Sequence, residues 1–425
     1  MSERELNAAQ DRLAEVTRSK PARLGSAHPW VAPLLLTVGV QAVASFLSRL
    51  PPTVAPILTA ERSVDSSTIG YLSAMNTAGA MIFLLAGTPL MDRAGSVRTL
   101  QIGLVLGAVG VALMALPSAL MLLPAVLLMG LGYGPSSPAG SDILHRYVPK
   151  NRHALVFSIK QAGVPLGGIV AGFVLPPLID IGGLALCLVV SAVIALVAAV
   201  VVQPVRKQLD PLEQNGPPLK LAHFFSPANL SRPIRCLLDT PGLVRLAMTG
   251  LALAVSQGIW IAFLVTILVE QAGLSLLAAG SLFAVMQVTS VIGRIGLGWV
   301  ADRVGSSTAT LQGAAAFSTV CTVALAFVSA QTPSFLVTLL CAVAGATVTG
   351  WNGVQIAEVA RLSKPGQIRE TSAGATLLLF TAYVVGPAAF ALAAQLLGSY
   401  LLPLLGVAAL TALSAFIPRT NATRS

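Results

Sequence analysis

Two basic side chains stand where charge is costly. Arg49 lies in an apolar run over residues 29–57, and Lys160 lies in another over 154–178. Charge inside a membrane-crossing helix is expensive and turns toward the bundle interior or a watery path. No acid lies deep in the first six apolar runs to neutralise either cation. Such a cation is a natural counter-charge for an anion, organic or small inorganic. The chemistry expected is recognition rather than bond making. Each cation has a blander reading. Lys160 sits near the end of its run and can snorkel to the boundary. Arg49 can instead make a structural bond between helices.

Other polar side chains within apolar runs are candidates for the same binding path. Gln41 and Ser45 share a helix face with Arg49 at steps of four. Asn76, Tyr133, Ser136 and Ser137 follow, and Gln161 neighbours Lys160. The second half of the chain offers Gln257, Trp260, Gln287, Trp351, Asn352 and Gln355. Gln257 and Trp260 are three apart, as are Asn352 and Gln355, so each pair can share a face. On this reading the first half supplies charge and the second supplies neutral hydrogen bonds. Each of these side chains can equally hold helices together.

Several chemistries are excluded. Cys187, Cys236, Cys321 and Cys341 show no metal spacing, and three of them fall inside apolar runs as small hydrophobes. There are 4 His in 425 residues, with no cluster of His, Asp and Glu at one face. No Gly-rich phosphate loop ending in lysine is present, so ATP-driven work is unsupported. No cofactor, metal or nucleic acid is expected. The net charge of +10 is not gathered into one stripe of the kind nucleic acid demands.

The elements that position these residues are membrane helices. Hydrophobic residues make up 55% of the chain and charged residues 10%, against about 25% charge in soluble domains. A spanning helix needs about 20 apolar residues. Six runs lie at 29–57, 67–90, 98–116, 119–141, 154–178 and 181–204. Six more lie at 241–268, 272–298, 308–329, 333–359, 371–394 and 398–418. The expected organisation is a tail (1–28), a six-helix bundle (29–204), a linker (205–240), a second six-helix bundle (241–418) and a tail (419–425). Of the 26 Lys and Arg, all but Arg49, Arg62, Lys160 and Arg294 fall in segments that share one side. By the retention of basic residues inside, that side is cytoplasmic, as are both termini. The linker holds Pro211, Pro217, Pro218, Lys220, Arg232 and Arg235. It reads as a tether, or in part (219–225) as a segment lying on anionic lipid.

Two polar hairpins occupy matching places. Gly298, Asp302, Arg303 and Gly305 follow the eighth run; Asp92, Arg93 and Gly95 follow the second, with Arg98 nearby and Thr88 where the first glycine would stand. Asp142 and Arg146 after the fourth run echo Glu358 and Arg361 after the tenth. This pattern, over residues 29–418, resembles the major facilitator superfamily. The resemblance implies an all-α fold of twelve helices in two pseudo-symmetric bundles. It also implies that these hairpins latch the halves in the outward-facing state. The bare residues give a cap and a tight turn, with Arg294, two turns before Asp302, able to join the second network. His145 reads as loop surface.

The stretch from Ser158 to Gly168 is similar to one in bacterial members grouped with cyanate, nitrate or organic-acid carriers. It departs from drug/proton antiporters, because Val164 separates Gly163 from Pro165 and the run Leu122 to Ala139 carries no charge. Gly345, Gly350, Gly353 and the Val385-Gly386-Pro387 segment give bendable helices suited to gating. The expectation is a monomeric bacterial inner-membrane carrier of a small carboxylate, with proton symport as the favoured coupling. Efflux of a drug or metabolite is the nearest rival, and a receptor or scaffold is the rival from another class.

Overall fold

The computed structural model describes residues 29–62, 67–210 and 220–415. The tails at 1–28 and 419–425 and linker residues 211–219 lie outside the described residues. The described chain is α-helical. Helices α1 (Val31–Arg62) and α2 (Ser67–Ala86) lead into a short α3 (Thr88–Ala94). Then come α4 (Ser96–Met114), α5 (Leu122–Tyr133), α6 (Ser136–Tyr147) and a long α7 (His153–Leu209). Two linker helices follow, α8 (Leu221–Phe224) and α9 (Pro227–Leu238). The second half holds α10 (Pro241–Glu270), α11 (Leu276–Val304), α12 (Ser307–Ala326), α13 (Ser334–Thr347), α14 (Asn352–Leu362), α15 (Ile368–Leu397) and α16 (Leu401–Ala415).

Among the described residues, eight helical segments are long and apolar enough to cross a membrane, or nine if α2 and α3, bent by 63°, count as one span. The protein is a multi-pass membrane protein. Breaks fall where the sequence weakens the helix. Gly182 and Gly183 leave helical geometry inside α7, Gly183 at φ 66°. There the element doubles back. Near its start, His153 pairs with the Val148 carbonyl; near its end, the Gln208 carbonyl accepts from Tyr147, the residue before Val148. Within the linker, Pro227–Leu238 forms α9. Its Asn229 donates to the Ala86 carbonyl at the α2–α3 break, satisfying a group that a broken helix leaves open.

The apolar cores show how the two halves of the chain meet. One cluster joins Leu144, Phe157 and Val156 of the first half to Leu243, Trp351 and Ile368 of the second. Two others stay separate: Phe46, Leu50 and Leu188 in the first half, and Trp260, Leu268 and Phe390 in the second. The halves therefore share a core at one end and keep private cores toward the other. Large apolar side chains such as Phe173 and Leu396 are 79% and 77% exposed. On a membrane protein that surface faces lipid.

Candidate functional site

A cavity of about 510 Å³ lies between the two halves. Gln41, Ser45 and Arg49 of α1 line it, with Asn76 of α2, Tyr133 of α5, Ser137 of α6 and Gln161 of α7. From the second half come Gln257 of α10, Arg294 of α11, Asn352 of α14, and Phe380 and Tyr383 of α15. Among the described residues, no Asp or Glu lines it. Gln41 donates to Tyr133 at 3.2 Å, and Ser45 donates to the Val164 carbonyl at 2.7 Å. Asn352 donates to Gln257 at 3.3 Å and to Tyr383 at 3.0 Å, and Tyr383 donates to Gln257 at 3.1 Å. Tyr133 and Phe380 stack across the halves with ring centroids 6.2 Å apart.

Six of the candidates are not among the lining residues: Ser136, Gln287 and the four that follow. Lys160 is 1% exposed, behind the wall, and donates to the Gln161 side chain at 3.2 Å. It neither lines the cavity nor reaches a surface. Trp260 is buried and donates to Thr322 at 3.0 Å; Trp351 is buried and donates to the Val348 carbonyl at 2.9 Å. Gln355 is buried against Gly250. Three residues along a helix turn the side chain through about 300°, leaving neighbours about 60° apart. That is enough to place Gln257 and Asn352 on the cavity while Trp260 and Gln355 enter helix contacts. Arg294, which the sequence made able to join the Asp302 network, also lines the cavity, 5% exposed. Its guanidinium donates to the Gln161 carbonyl at 3.2 Å.

Below the cavity two seams seal one end. The first runs between α5–α6 and α15: Tyr133 against Phe380, then Ser137 hydrogen-bonded to Thr376 at 2.6 Å, then Asp142 paired with Arg369 at 3.2 Å. The second runs between α7 and α11: the Gln161 carbonyl with Arg294, then Ser158 against Gly298, then Asp302. Residue numbers rise on one helix as they fall on the other, so both seams are antiparallel helix contacts. Asp302 accepts from the backbone N–H of Ala154 at 3.1 Å and Leu155 at 2.9 Å. These are unbonded first-turn donors of α7, where negative charge is also favoured by the helix dipole. A side chain at Gly298 would put its Cβ 2.6 Å from the Ser158 Cβ. Gly353 of α14 presses on the same serine.

The hairpin residues divide by role. Gly95 and Gly305 take positive φ, 90° and 69°, in the turns. Asp92 pairs with Arg369 at 3.3 Å and faces the linker residue Arg232 at 3.6 Å. Arg232 also binds Glu370 of α15 at 2.6 Å. Asp142 further accepts from Arg146 at 2.7 Å and Ser96 at 2.6 Å. Glu358 is held by Arg361 at 2.6 Å, and Arg93 and Arg303 are exposed. His145 is half-buried, its ring 5.3 Å from that of His153. Burial, with the neighbouring His153 next, lowers its pKa. Sequence reasoning did not single out Asp210, which caps α4 through the N–H groups of Val97 and Arg98 at 3.1 and 3.0 Å. Burial raises its carboxyl pKa despite those bonds.

The sequence model of the Major Facilitator Superfamily matches residues 35–387. An uncharacterized MFS-type transporter of Mycobacterium tuberculosis (strain CDC 1551 / Oshkosh) is 25% identical over 78% of this chain and 72% of its own. The 4-hydroxybenzoate transporter PcaK of Pseudomonas putida is 25% identical over 59% of this chain and 61% of its own. The crystal structure of the E. coli fucose:proton symporter FucP superposes with a TM-score of 0.71 at 14% identity, covering 92% of this chain and 100% of that one.

Proposed function

We infer the function from one premise: the chain belongs to the Major Facilitator Superfamily. We propose that it is a secondary-active transporter of a small organic anion, a carboxylate, moved by alternating access and coupled to protons. One observation carries the reading. The cavity presents two arginines, Arg49 and Arg294, from opposite halves of the chain, and among the described residues no carboxylate lines it. In a confined, largely apolar space this arrangement attracts an anion and repels a cation. The amides and hydroxyls of Gln41, Asn76, Gln257 and Asn352 supply neutral partners for the rest of the solute. The relative PcaK carries 4-hydroxybenzoate, and FucP is a proton symporter. Both names support the choice of solute and of coupling.

The same reading orders the molecule. The twelve runs are twelve spans, with α2–α3, α5–α6 and α13–α14 each forming one span and α7 forming two. They make two six-helix bundles, 29–204 and 241–418, in one chain that works as a monomer in a bacterial inner membrane. The sealed end is cytoplasmic, because the basic residues of the first half cluster there. The shared core and both seams lie at that end, which makes this the outward-facing state.

Uptake into proteoliposomes tests the proposal. Labelled 4-hydroxybenzoate and shorter carboxylates are offered with and without an inward proton gradient. Gradient-stimulated uptake is expected from the wild type. Arg294→Met is expected to weaken it by about 2–5 kcal/mol, at least about thirtyfold in affinity. Lys160→Ala separates a binding role from a supporting one: as a residue behind the wall it lowers uptake only through Gln161, and its loss is the milder. Export of hydrophobic compounds with no anion uptake would replace this reading with efflux.

A further inference from the structure

The top rung of the second seam is also part of the cavity wall, and a proline makes that rung available. In an α-helix the carbonyl of residue 161 accepts the N–H of residue 165. Residue 165 is Pro165, inside α7, and it has no N–H to give. The Gln161 carbonyl is thereby left open in the middle of a helix, where an unmet acceptor is costly. Arg294 fills it from the other half of the chain, its Nη1 donating at 3.2 Å. Below this rung Ser158 meets Gly298, and Asp302 meets the first turn of α7.

We propose that Arg294 couples cavity occupancy to the second seam: a substrate carboxylate draws its guanidinium off the Gln161 carbonyl and so frees α7 from α11. This rests on the anion reading given above. A carboxylate offers a bidentate, charged partner that a single neutral carbonyl does not match. Arg294 donates to two partners, the Gln161 carbonyl and Ser290 at 3.5 Å, so it can turn toward a solute without leaving the wall. With the rung released, the seam keeps the Gly298 and Asp302 contacts and the apolar packing around Phe157 and Ala301, but loses its charged hydrogen bond at the cavity. Pro165 acts as a positioning residue, since it keeps the carbonyl vacant for its partner.

Spin labels at Lys150→Cys and Ser307→Cys, which flank the lower end of the seam, report its opening. In ligand-free wild type the short distance dominates, and 4-hydroxybenzoate lengthens it. Arg294→Met is expected to lower the closed-to-open ratio about ten- to a hundredfold without ligand, and to make it indifferent to ligand. Pro165→Ala restores the helix's own N–H to the carbonyl, and is expected to lower the ratio by a smaller factor. That variant keeps Arg294, so misfolding of Arg294→Met does not decide the matter. Wild-type distances in both variants overturn the proposal. Labelled uptake by the same preparation locates any failure. Uptake without ligand-driven opening overturns the coupling alone; no uptake and no opening overturns the anion reading beneath it.

Discussion

At the scale of single residues, the sealed end is held by carboxylates that work in different ways. Burial pushes the Asp142 carboxyl up, but Arg146, Arg369 and the Ser96 hydrogen bond outweigh it, and its pKa is lowered from 3.8. A carboxyl whose folded value is depressed stabilises the fold above its unfolded value and loses that contribution as pH falls through the folded one. The melting temperature of the purified protein is therefore expected to fall with acid below about pH 4, and Asp142→Asn is expected to flatten that fall. An unchanged acid limb in the variant would remove Asp142 from the account. Asp302 acts differently, as a cap supplied in trans. Asp302→Ala is expected to weaken the seam by about 0.5–2 kcal/mol, the usual worth of a cap. Its signature is a larger open population in the label-pair measurement, with helix content by circular dichroism unchanged.

At the scale of elements, the seams depend on helices that approach closely. Ser158 of α7 is gripped between Gly298 of α11 and Gly353 of α14. A methyl at position 298 meets the Ser158 Cβ and Oγ, both at 2.6 Å, so the helices must separate. Gly298→Ala is expected to slow transport by disfavouring the sealed state, while Ser158→Gly in the same chain restores part of the rate. If the double variant is no better than the single, the clash is not the cause. The linker helix α9 adds a third brace. Its Arg232 reaches Asp92 near the end of α3 and Glu370 at the start of α15. Through these two pairs one linker residue touches both halves.

At the scale of the whole molecule, the distribution of core matters more than its amount. The halves share apolar packing at the sealed end and part toward the other. A rocking motion that opens the sealed end must break that shared core and both seams. Locking one seam should then stop the cycle. Ser137 and Thr376 place their hydroxyl oxygens 2.6 Å apart across the first seam. Ser137→Cys with Thr376→Cys is expected to cross-link under mild oxidation, to abolish uptake, and to recover on reduction. Full uptake by the cross-linked form would show that the seam does not open during transport.

The chain's own pattern determined that it is a multi-pass membrane protein built of helices, and it set the expectation of where the spans lie and which segments share a side. These follow from the length and spacing of apolar runs and the placing of Lys and Arg, which are local properties. The turns at Gly95 and Gly305 were legible for the same reason, because a positive φ is a demand on one residue. Which polar side chain faces the cavity was decided only in three dimensions. Lys160 and Arg294 look alike in sequence, each a cation in an apolar run. Helix rotation and the approach of the opposite half put Lys160 behind the wall and Arg294 on it. Arg369, Arg232 and Asp210 sit among many charges at helix ends, where sequence offers several equivalent partners and only packing chooses one. The vacancy that Pro165 leaves at the Gln161 carbonyl is written in the sequence, but its donor comes from a helix more than a hundred residues away, so only the tertiary structure could supply it.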